Sequence, residues 1–259
     1  MNILFTVCGR AGSKGIRNKN LRDFCGYPLL YYTLSEIDLV RGGKSEWNTD
    51  VVINSDSPDL LKLAEANPFF DVDLIRRSDE LGGDAVPKIA VIHDCLTQME
   101  QRKKKTYDVV VDLDITSPLR KVQDLYHLVD THVRTGADVT TSVTDSRRNP
   151  YFNMVRKTEH GYKKVLDADF TARQQAPQTF DMNASLYAYR PDFLDKNLGV
   201  LDGYCECIHM EDTGILDLDH ENDFTLMEVI ARYLYGSDPQ FSEVRGNIVR
   251  KSEKSSGRF

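Results

Sequence analysis

The chain has 259 residues, a formal net charge of −7 and 41% hydrophobic residues, a composition typical of a globular protein rather than a disordered or fibrous one. No apolar run approaches the ~20 residues of a membrane-spanning helix, and we expect no signal peptide because the short run 3–8 leads straight into charge. The acidic balance argues against nucleic-acid and membrane-surface partners. Five scattered cysteines do not suit a disulfide framework and favour a cytoplasmic location.

The first half of the chain alternates strand-like and helix-like segments. Strands are predicted over 2–8, 50–54, 70–75, 107–115 and 138–144, and helices over 28–40, 58–66, 86–101 and 121–134. Ser57 followed by Pro58 is typical of a helix start. This alternation predicts an α/β fold with a mainly parallel, Rossmann-like sheet and helices on both faces.

The regular alternation stops near residue 149. Short strands are predicted over 151–156, 162–166 and 184–189, and a last helix over 222–235. We interpret 1–148 with 184–250 as one α/β domain, 149–183 as an inserted arm, and 251–259 as a mobile polar tail.

A basic loop follows the first strand. Residues 10–22 contain five basic side chains and no acidic one, within an acidic protein. Ligands of parallel α/β sheets bind outside the carboxyl ends of the strands, and small residues at Gly12, Ser13 and Gly15 allow backbone N–H groups to approach a phosphate. The loop matches neither a Walker A motif nor G-x-G-x-x-G. It predicts a polyphosphate site of another type, and the alternative is a solvated basic turn.

Two pairs of acidic residues have strand spacing. Asp112 and Asp114 share one face at the end of a predicted strand, where they could bind Mg²⁺ or a polar substrate, or one could cap the next turn. Asp217 and Asp219 share a face before the last helix, where a Mg²⁺–nucleotide site and a helix-capping cluster are both possible.

Other chemistry receives little support. Cys205, Cys207 and His209 fit one face of a strand better than a zinc site, because no second ligand pair is nearby. No histidine has an evident nucleophile partner, which argues against a hydrolase triad.

Six motifs in order resemble the N-acylneuraminate cytidylyltransferase (CMP-sialic acid synthetase) family. The loop is similar to R-x-G-S-K-G-x-x-x-K-N, 54–57 to S-T-D-S, 77–84 to R-P-x-E-L-x-x-D, 116–120 to T-S-P-L-R, 173–183 to R-Q-x-x-P…N, and 217–219 to D-I-D. The resemblance implies a fold of the nucleotide-diphospho-sugar transferase type. It also implies transfer of CMP from CTP to a nonulosonic acid with release of pyrophosphate.

The resemblance also implies roles for individual residues. Phosphate and nucleotide contacts fall on Arg10, Gly12, Ser13, Lys14, Lys19, Asn20, Arg77 and Asp84, with Arg10 and Lys19 nearest the transferred group. Sugar contacts fall on Asp114, Thr116, Arg173, Gln174 and Asn183, and Mg²⁺ ligands on Asp217 and Asp219. The arm reaches a second subunit in this family, which implies a homodimer in which Arg173 serves the neighbour's site.

At three places the sequence differs from the sialic-acid members of the family and resembles the branch that activates legionaminic acid. Asp114 stands where sialic-acid members carry Gln, Ala184 stands where many members carry Gly, and 147–153 reads R-R-N-P-Y-F-N. Ionised Asp only accepts hydrogen bonds, whereas Gln also donates, so a different sugar is expected.

Two alternatives remain at this point. Another sugar nucleotidyltransferase, such as one acting on ketodeoxyoctonate, would keep the fold, although a phosphorylated sugar would call for a further basic cluster. A non-catalytic nucleotide-binding regulator would keep the basic loop without needing Asp217 and Asp219. Mg²⁺-dependent turnover distinguishes the enzyme from the regulator.

Overall fold

The structure is a computed structural model that describes residues 1–12, 15–83, 86–170, 172–196, 198–214, 218 and 220–256, without the side chains of Arg173 and Ser256. Its strands are β1 Asn2–Cys8, β2 Asp23–Phe24, β3 Tyr27–Pro28, β4 Asn48–Ser55, β5 Asp73–Arg76, β6 Val109–Leu113, β7 Val139–Asp145, β8 Val155–Thr158, β9 Gly161–Lys164, β10 Phe180–Tyr189 and β11 Cys205–His209. Its helices are α1 Leu29–Gly43, α2 Pro58–Glu65, α3 Lys88–Lys103, α4 Val122–Thr135, α5 Pro191–Leu194, α6 Glu221–Ser237 and α7 Pro239–Ser256.

Within the described residues, seven strands form the main sheet, in the order β11-β7-β10-β6-β1-β4-β5. The pairings of β1 with β4 and β6, of β4 with β5 and of β7 with β11 are parallel. Strand β10 runs antiparallel between β6 and β7. The predicted mainly parallel sheet is therefore confirmed.

Helices cover both faces of the sheet, and the alternation of side chains along β1 explains how. Ile3 and Phe5 join a core with α1, α4, α6 and α7, while Leu4 joins a second core with α3 and α5. Both faces of the strand are buried, as expected for a parallel sheet. The carboxyl ends of the strands are consequently left as the open edge.

Local sequence patterns predicted the positions of several strands and helices correctly. Strand β1 has the predicted bounds, and the Ser57 hydroxyl accepts a hydrogen bond from the Leu60 N–H at 3.3 Å at the start of α2. Within the predicted arm, β8 and β9 form an antiparallel hairpin. Strand β10 begins at Phe180, so the main sheet resumes before residue 184.

The prediction of a mobile tail is wrong for residues 251–256, which continue helix α7. Phe241, Val244 and Ile248 of this helix are buried, and Lys251 forms an ion pair with Asp38 of α1 at 2.8 Å. The apolar residues recur at helical spacing, so an amphipathic helix holds this part of the chain against α1.

Candidate functional site

A cleft of about 410 Å³ lies at the carboxyl ends of β1, β5 and β6. The residues of its lining that were predicted from the sequence are Arg10, Gly15, Lys19, Asn20, Arg77, Asp114 and Thr116. Cys8 and Lys88 also line it and were not predicted as site residues. The cleft thus joins the basic loop to the turn after β6, at the edge where parallel sheets bind ligands.

The loop after β1 is shaped by its backbone. A Cβ at Gly9 would lie 2.5 Å from the Leu60 Cδ2 and 2.9 Å from the Ile115 Cδ1, so a larger residue would require these side chains to shift. Gly12 adopts a φ of 75°, a left-handed conformation that glycine adopts without strain. The carboxylate of Asp56 accepts a hydrogen bond from the Ala11 N–H at 2.6 Å. Ser13 and Lys14, the predicted phosphate contacts of this loop, lie outside the described residues.

Lys19 and Asn20 close the loop in a short 3-10 helix, Lys19–Leu21. Lys19 Nζ donates to the main-chain oxygen of Leu218 at 2.5 Å. The Asn20 amide donates to the main-chain oxygen of Arg10 at 3.2 Å, while its Oδ1 is buried with no hydrogen-bond partner among the described residues.

Arg77 braces the floor of the cleft. Its Nε donates to Asn54 Oδ1 at 2.7 Å, and its Nη2 donates to the main-chain oxygens of Gly9 and Asn54 at 3.3 Å. The side chain is buried. These bonds tie the ends of β1, β4 and β5 together beneath the basic loop, and a contact of Arg77 with cytidine stays a prediction.

An ion triad centred on Lys88, the first residue of α3, lies at the cleft. Its Nζ lies 2.7 Å from Asp112 Oδ2 and 2.9 Å from Asp114 Oδ2, which confirms that the two aspartates share a face. The two carboxylates raise the pKa of Lys88 well above its ordinary value against the effect of burial. Because the ammonium lies between them, Asp112 and Asp114 do not form the Mg²⁺ pair that their spacing allowed.

Asp114 also caps the turn after β6. Its Oδ1 accepts hydrogen bonds from the Thr116 N–H at 2.9 Å and from the Thr116 hydroxyl at 2.7 Å. Burial opposes ionisation, but Lys88 and the Thr116 donors outweigh it and hold the pKa of Asp114 at about 2. A carboxyl with so low a pKa is a weak base and acts as a hydrogen-bond acceptor at neutral pH.

Cys8 lies beside this triad at the end of β1. Its hydrogen bond with Cys95 and its burial raise the pKa of the Cys8 thiol well above the ordinary value. The thiol is therefore neutral, and it lacks the thiolate character that a nucleophile needs.

The predicted metal ligands Asp217 and Asp219 lie outside the described residues. Leu218, between them in the sequence, is buried with its carbonyl oxygen on Lys19. In the sequence Asp217 and Asp219 flank Leu218, and a pair of carboxylates is a donor set suited to Mg²⁺. No cluster of three or more metal-ligating side chains occurs within the described part of the chain.

Comparison with known proteins decides the family. The cytidylyltransferase family model matches residues 4–224. The chain belongs to the cytidylyltransferase family. It is 32% identical over 233 residues to post-translational flagellin modification protein B of Campylobacter coli. The aligned region covers 89% of this chain and 95% of that protein. It is 31% identical to the CMP-N,N′-diacetyllegionaminic acid synthase of Campylobacter jejuni, over 88% and 94% of the two chains.

Solved structures support the fold of this cytidylyltransferase. A CMP:2-keto-3-deoxy-manno-octonic acid synthetase complexed with CTP superposes with a TM-score of 0.63 at 14% identity, over 90% of this chain and 99% of that chain. The 4-diphosphocytidyl-2C-methyl-D-erythritol synthase of Anaerococcus prevotii superposes with a TM-score of 0.59 at 14% identity, over 89% of this chain and 96% of that chain. The nucleotidyltransferase type of α/β fold is confirmed.

Asn183 is not among the residues that line the cleft. It is buried in a bulge of β10, where its Oδ1 accepts hydrogen bonds from the Ser142 hydroxyl at 2.5 Å and the Ser185 N–H at 3.3 Å. The next residue, Ala184, has a φ of 52°. In this cytidylyltransferase Asn183 therefore stabilises a bulge, and a contact with sugar stays a prediction.

Gln174 of the arm, another predicted sugar contact, does not line the cleft either. Gln174 is exposed in the short 3-10 helix Arg173–Gln175, and the side chain of Arg173 is not described. No described helix of the cytidylyltransferase is long and apolar enough to cross a bilayer.

Proposed function

We propose that this cytidylyltransferase couples CTP to a nonulosonic acid of the legionaminic or N-acylneuraminic type, giving the CMP-sugar and pyrophosphate. The observation that carries the proposal is the polarity of the cleft. Its lining combines Arg10 and Lys19 of the basic loop with the polar groups of Lys88, Asp114 and Thr116. The first set suits a triphosphate, and the second suits a polyhydroxylated sugar. The name of the Campylobacter jejuni relative, CMP-N,N′-diacetyllegionaminic acid synthase, agrees with this substrate class.

The reaction is an in-line displacement at phosphorus. The anomeric hydroxyl oxygen of the sugar acid attacks the α-phosphorus of CTP, the bond to the bridging oxygen breaks, and pyrophosphate leaves while the hydroxyl proton passes to solvent or base. Arg10 and Lys19 would stabilise negative charge on the phosphate oxygens, which is the main catalytic requirement of such transfers. Mg²⁺, held by Asp217 and Asp219, would neutralise further triphosphate charge when bound.

A homodimer is part of the proposal. The hairpin β8–β9 and its flanks expose large apolar side chains, with Val155 58%, Tyr162 70% and Leu166 43% accessible. Exposed apolar residues grouped on one small element are typical of a protein interface. We infer that a second copy covers this arm and that Arg173 and Gln174 serve the neighbouring site. A fully active monomer in light scattering would contradict this inference.

The test is pyrophosphate release with CTP and Mg²⁺, measured in parallel on legionaminic acid, N-acetylneuraminic acid and ketodeoxyoctonate. Fastest turnover on legionaminic acid is the expected result. Preference for N-acetylneuraminic acid would keep the reaction and change the branch, and preference for ketodeoxyoctonate would favour the alternative nucleotidyltransferase. CTP binding without turnover on any sugar would favour the non-catalytic regulator. A location in the cytoplasm stays a prediction from the cysteine pattern.

A further inference from the structure

The ion triad at Lys88 presents one donor and one acceptor to the cleft. An ammonium has three N–H donors. That of Lys88 donates a hydrogen bond to Asp114 Oδ2 at 2.9 Å and forms an ion pair with Asp112 Oδ2 at 2.7 Å. The Lys88 side chain is 35% exposed and lines the cleft, so its third N–H can serve an acceptor there.

Asp114 supplies the acceptor beside this donor. The two hydrogen bonds from Thr116 occupy its Oδ1, whereas its Oδ2 accepts a hydrogen bond from Lys88 alone among the described residues. A carboxylate oxygen can accept a second hydrogen bond. The side chain of Asp114 is 26% exposed, which leaves room for that second donor on the cleft side.

Asp112, the third member of the triad, does not line the cleft. Asp112 is completely buried, and its Oδ1 accepts a hydrogen bond from the Thr6 hydroxyl at 2.8 Å. Its charge holds the Lys88 ammonium at the end of β6. Such support from a residue behind the contact group fixes the position of a functional side chain.

The spacing of the donor and the acceptor selects a chemical group. The Lys88 Nζ and the Asp114 Oδ2 are 2.9 Å apart, so one small atom can contact both. A hydroxyl oxygen accepts a hydrogen bond and donates another from the same atom, whereas the N–H and C=O of an amide point in opposite directions. We propose that Lys88 and Asp114 together bind one hydroxyl group of the sugar acid and so position that substrate. This inference rests on the proposed function.

The experiment compares parent sugars with monodeoxy analogues of the acid sugar that wild-type enzyme turns over best. The variant is Lys88→Met combined with Asp112→Asn, because removing Lys88 alone would leave a buried charge uncompensated. Wild-type enzyme should lose about 30-fold to 100-fold in kcat/KM on the analogue that lacks the contacted hydroxyl, as expected for a charged hydrogen bond. The variant should lose less than about threefold on that same analogue. The KM for CTP should change little.

A matched control lies on the same helix. Lys103, the last residue of α3, is 36% exposed and forms an ion pair with Asp73 at 2.7 Å, so Lys103→Met with Asp73→Asn makes the same chemical change away from the cleft. This control should keep the wild-type analogue profile, and melting temperatures report folding of both double variants. Equal analogue profiles in wild type and the Lys88 variant would overturn the inference alone. Absence of wild-type turnover on every acid sugar would overturn the proposed function and this inference with it.

Discussion

The guanidinium of Arg120 and the carboxylate of Glu36 form an ion pair in the interior of the protein, with Nε 2.6 Å from Oε2 and both side chains 1% exposed. Arg120 also donates to the main-chain oxygen of Asp114 at 2.8 Å and to the Thr33 hydroxyl at 2.8 Å. The pair therefore ties helix α1 to the turn that carries Asp114 of the Lys88 triad. Arg120 ends the segment 116–120, which is similar to the T-S-P-L-R motif of the family. The contacts of Arg120 among the described residues are nevertheless with buried groups of the protein itself.

Replacing Arg120 with Met should lower the free energy of unfolding by about 3–5 kcal/mol, because a buried carboxyl and carbonyl oxygens lose their partner. Burial already raises the pKa of Glu36 to about 7 against the pull of Arg120. Without Arg120 that pKa rises further, and a raised carboxyl pKa costs stability as pH increases. The deficit should thus be larger at about pH 8.5 than at about pH 6.5 in urea unfolding. Arg147→Met, at an exposed ion pair with Asp212, is the control, and equal midpoints for the two variants would contradict the prediction.

Replacing Arg10 or Lys19 with Met should lower kcat by about 10²–10³, the usual effect of removing a preorganised group that stabilises developing charge. Steady-state pyrophosphate release measures this effect, with melting temperature as the test of folding. Lys254→Met, on the exposed side of α7, should leave kcat unchanged. Losses below tenfold in both cleft variants would refute the assignment of the basic loop to phosphate.

The metal prediction concerns Asp217 and Asp219. Turnover should disappear on chelation and return with Mg²⁺. Asp217→Asn and Asp219→Asn should each raise the Mg²⁺ concentration for half-maximal rate by about tenfold or more, because a neutral amide binds Mg²⁺ more weakly than a carboxylate does. Asp130→Asn, on the exposed side of α4, is the control. Unchanged Mg²⁺ dependence in both variants would place the metal elsewhere.

Stability should also depend on pH through His132, which is buried in α4 with Nδ1 3.0 Å from the Thr140 hydroxyl. Burial, with a smaller effect of Arg190, lowers the pKa of His132 to about 4. Between that value and its ordinary pKa the unfolded state binds the proton and the folded state does not. The free energy of unfolding should therefore fall by about 3 kcal/mol as pH falls from about 6.5 to about 4.

Urea unfolding of His132→Gln across this pH range tests the assignment, and the variant should lose most of that slope. His127→Gln, an exposed histidine of the same helix, should keep it. Retention of the full slope in His132→Gln would show that another group causes the pH dependence.

Ala184→Gly should stabilise the protein. Ala184 has a φ of 52°, and a left-handed conformation costs a residue with a Cβ about 1–2 kcal/mol. After the greater chain entropy of glycine in the unfolded state is subtracted, a gain of about 0.5–1 kcal/mol is expected in urea unfolding. Ala188→Gly, in the same strand but with a buried side chain in the sheet core, should destabilise. A loss of stability in Ala184→Gly would contradict the backbone argument.

The elements that the sequence predicted best are those with strong local signals. Strand β1 and the N-terminus of α2 have a continuous apolar run and a Ser-Pro cap, which act within a few residues. Helix α7 was missed because its narrow apolar face, Phe241, Val244 and Ile248, is hidden by a polar average composition. The direction of β10 could not be read from the sequence, since alternation is the same for parallel and antiparallel strands.

The same division holds for the site. A basic loop after the first strand is a contiguous pattern, so the local sequence was enough to predict phosphate chemistry there and to indicate which family the chain resembles. Lys88 was not recognised, because its partners lie 24 and 26 positions away and only the packing of α3 against the sheet brings the three charges together. Thr116, Arg120 and Asn183 all belong to motifs that resemble those of the family, but burial distinguishes them. Thr116 lines the cleft, whereas Arg120 and Asn183 lie in the interior. Contacts between distant segments depend on packing, which a local pattern does not encode.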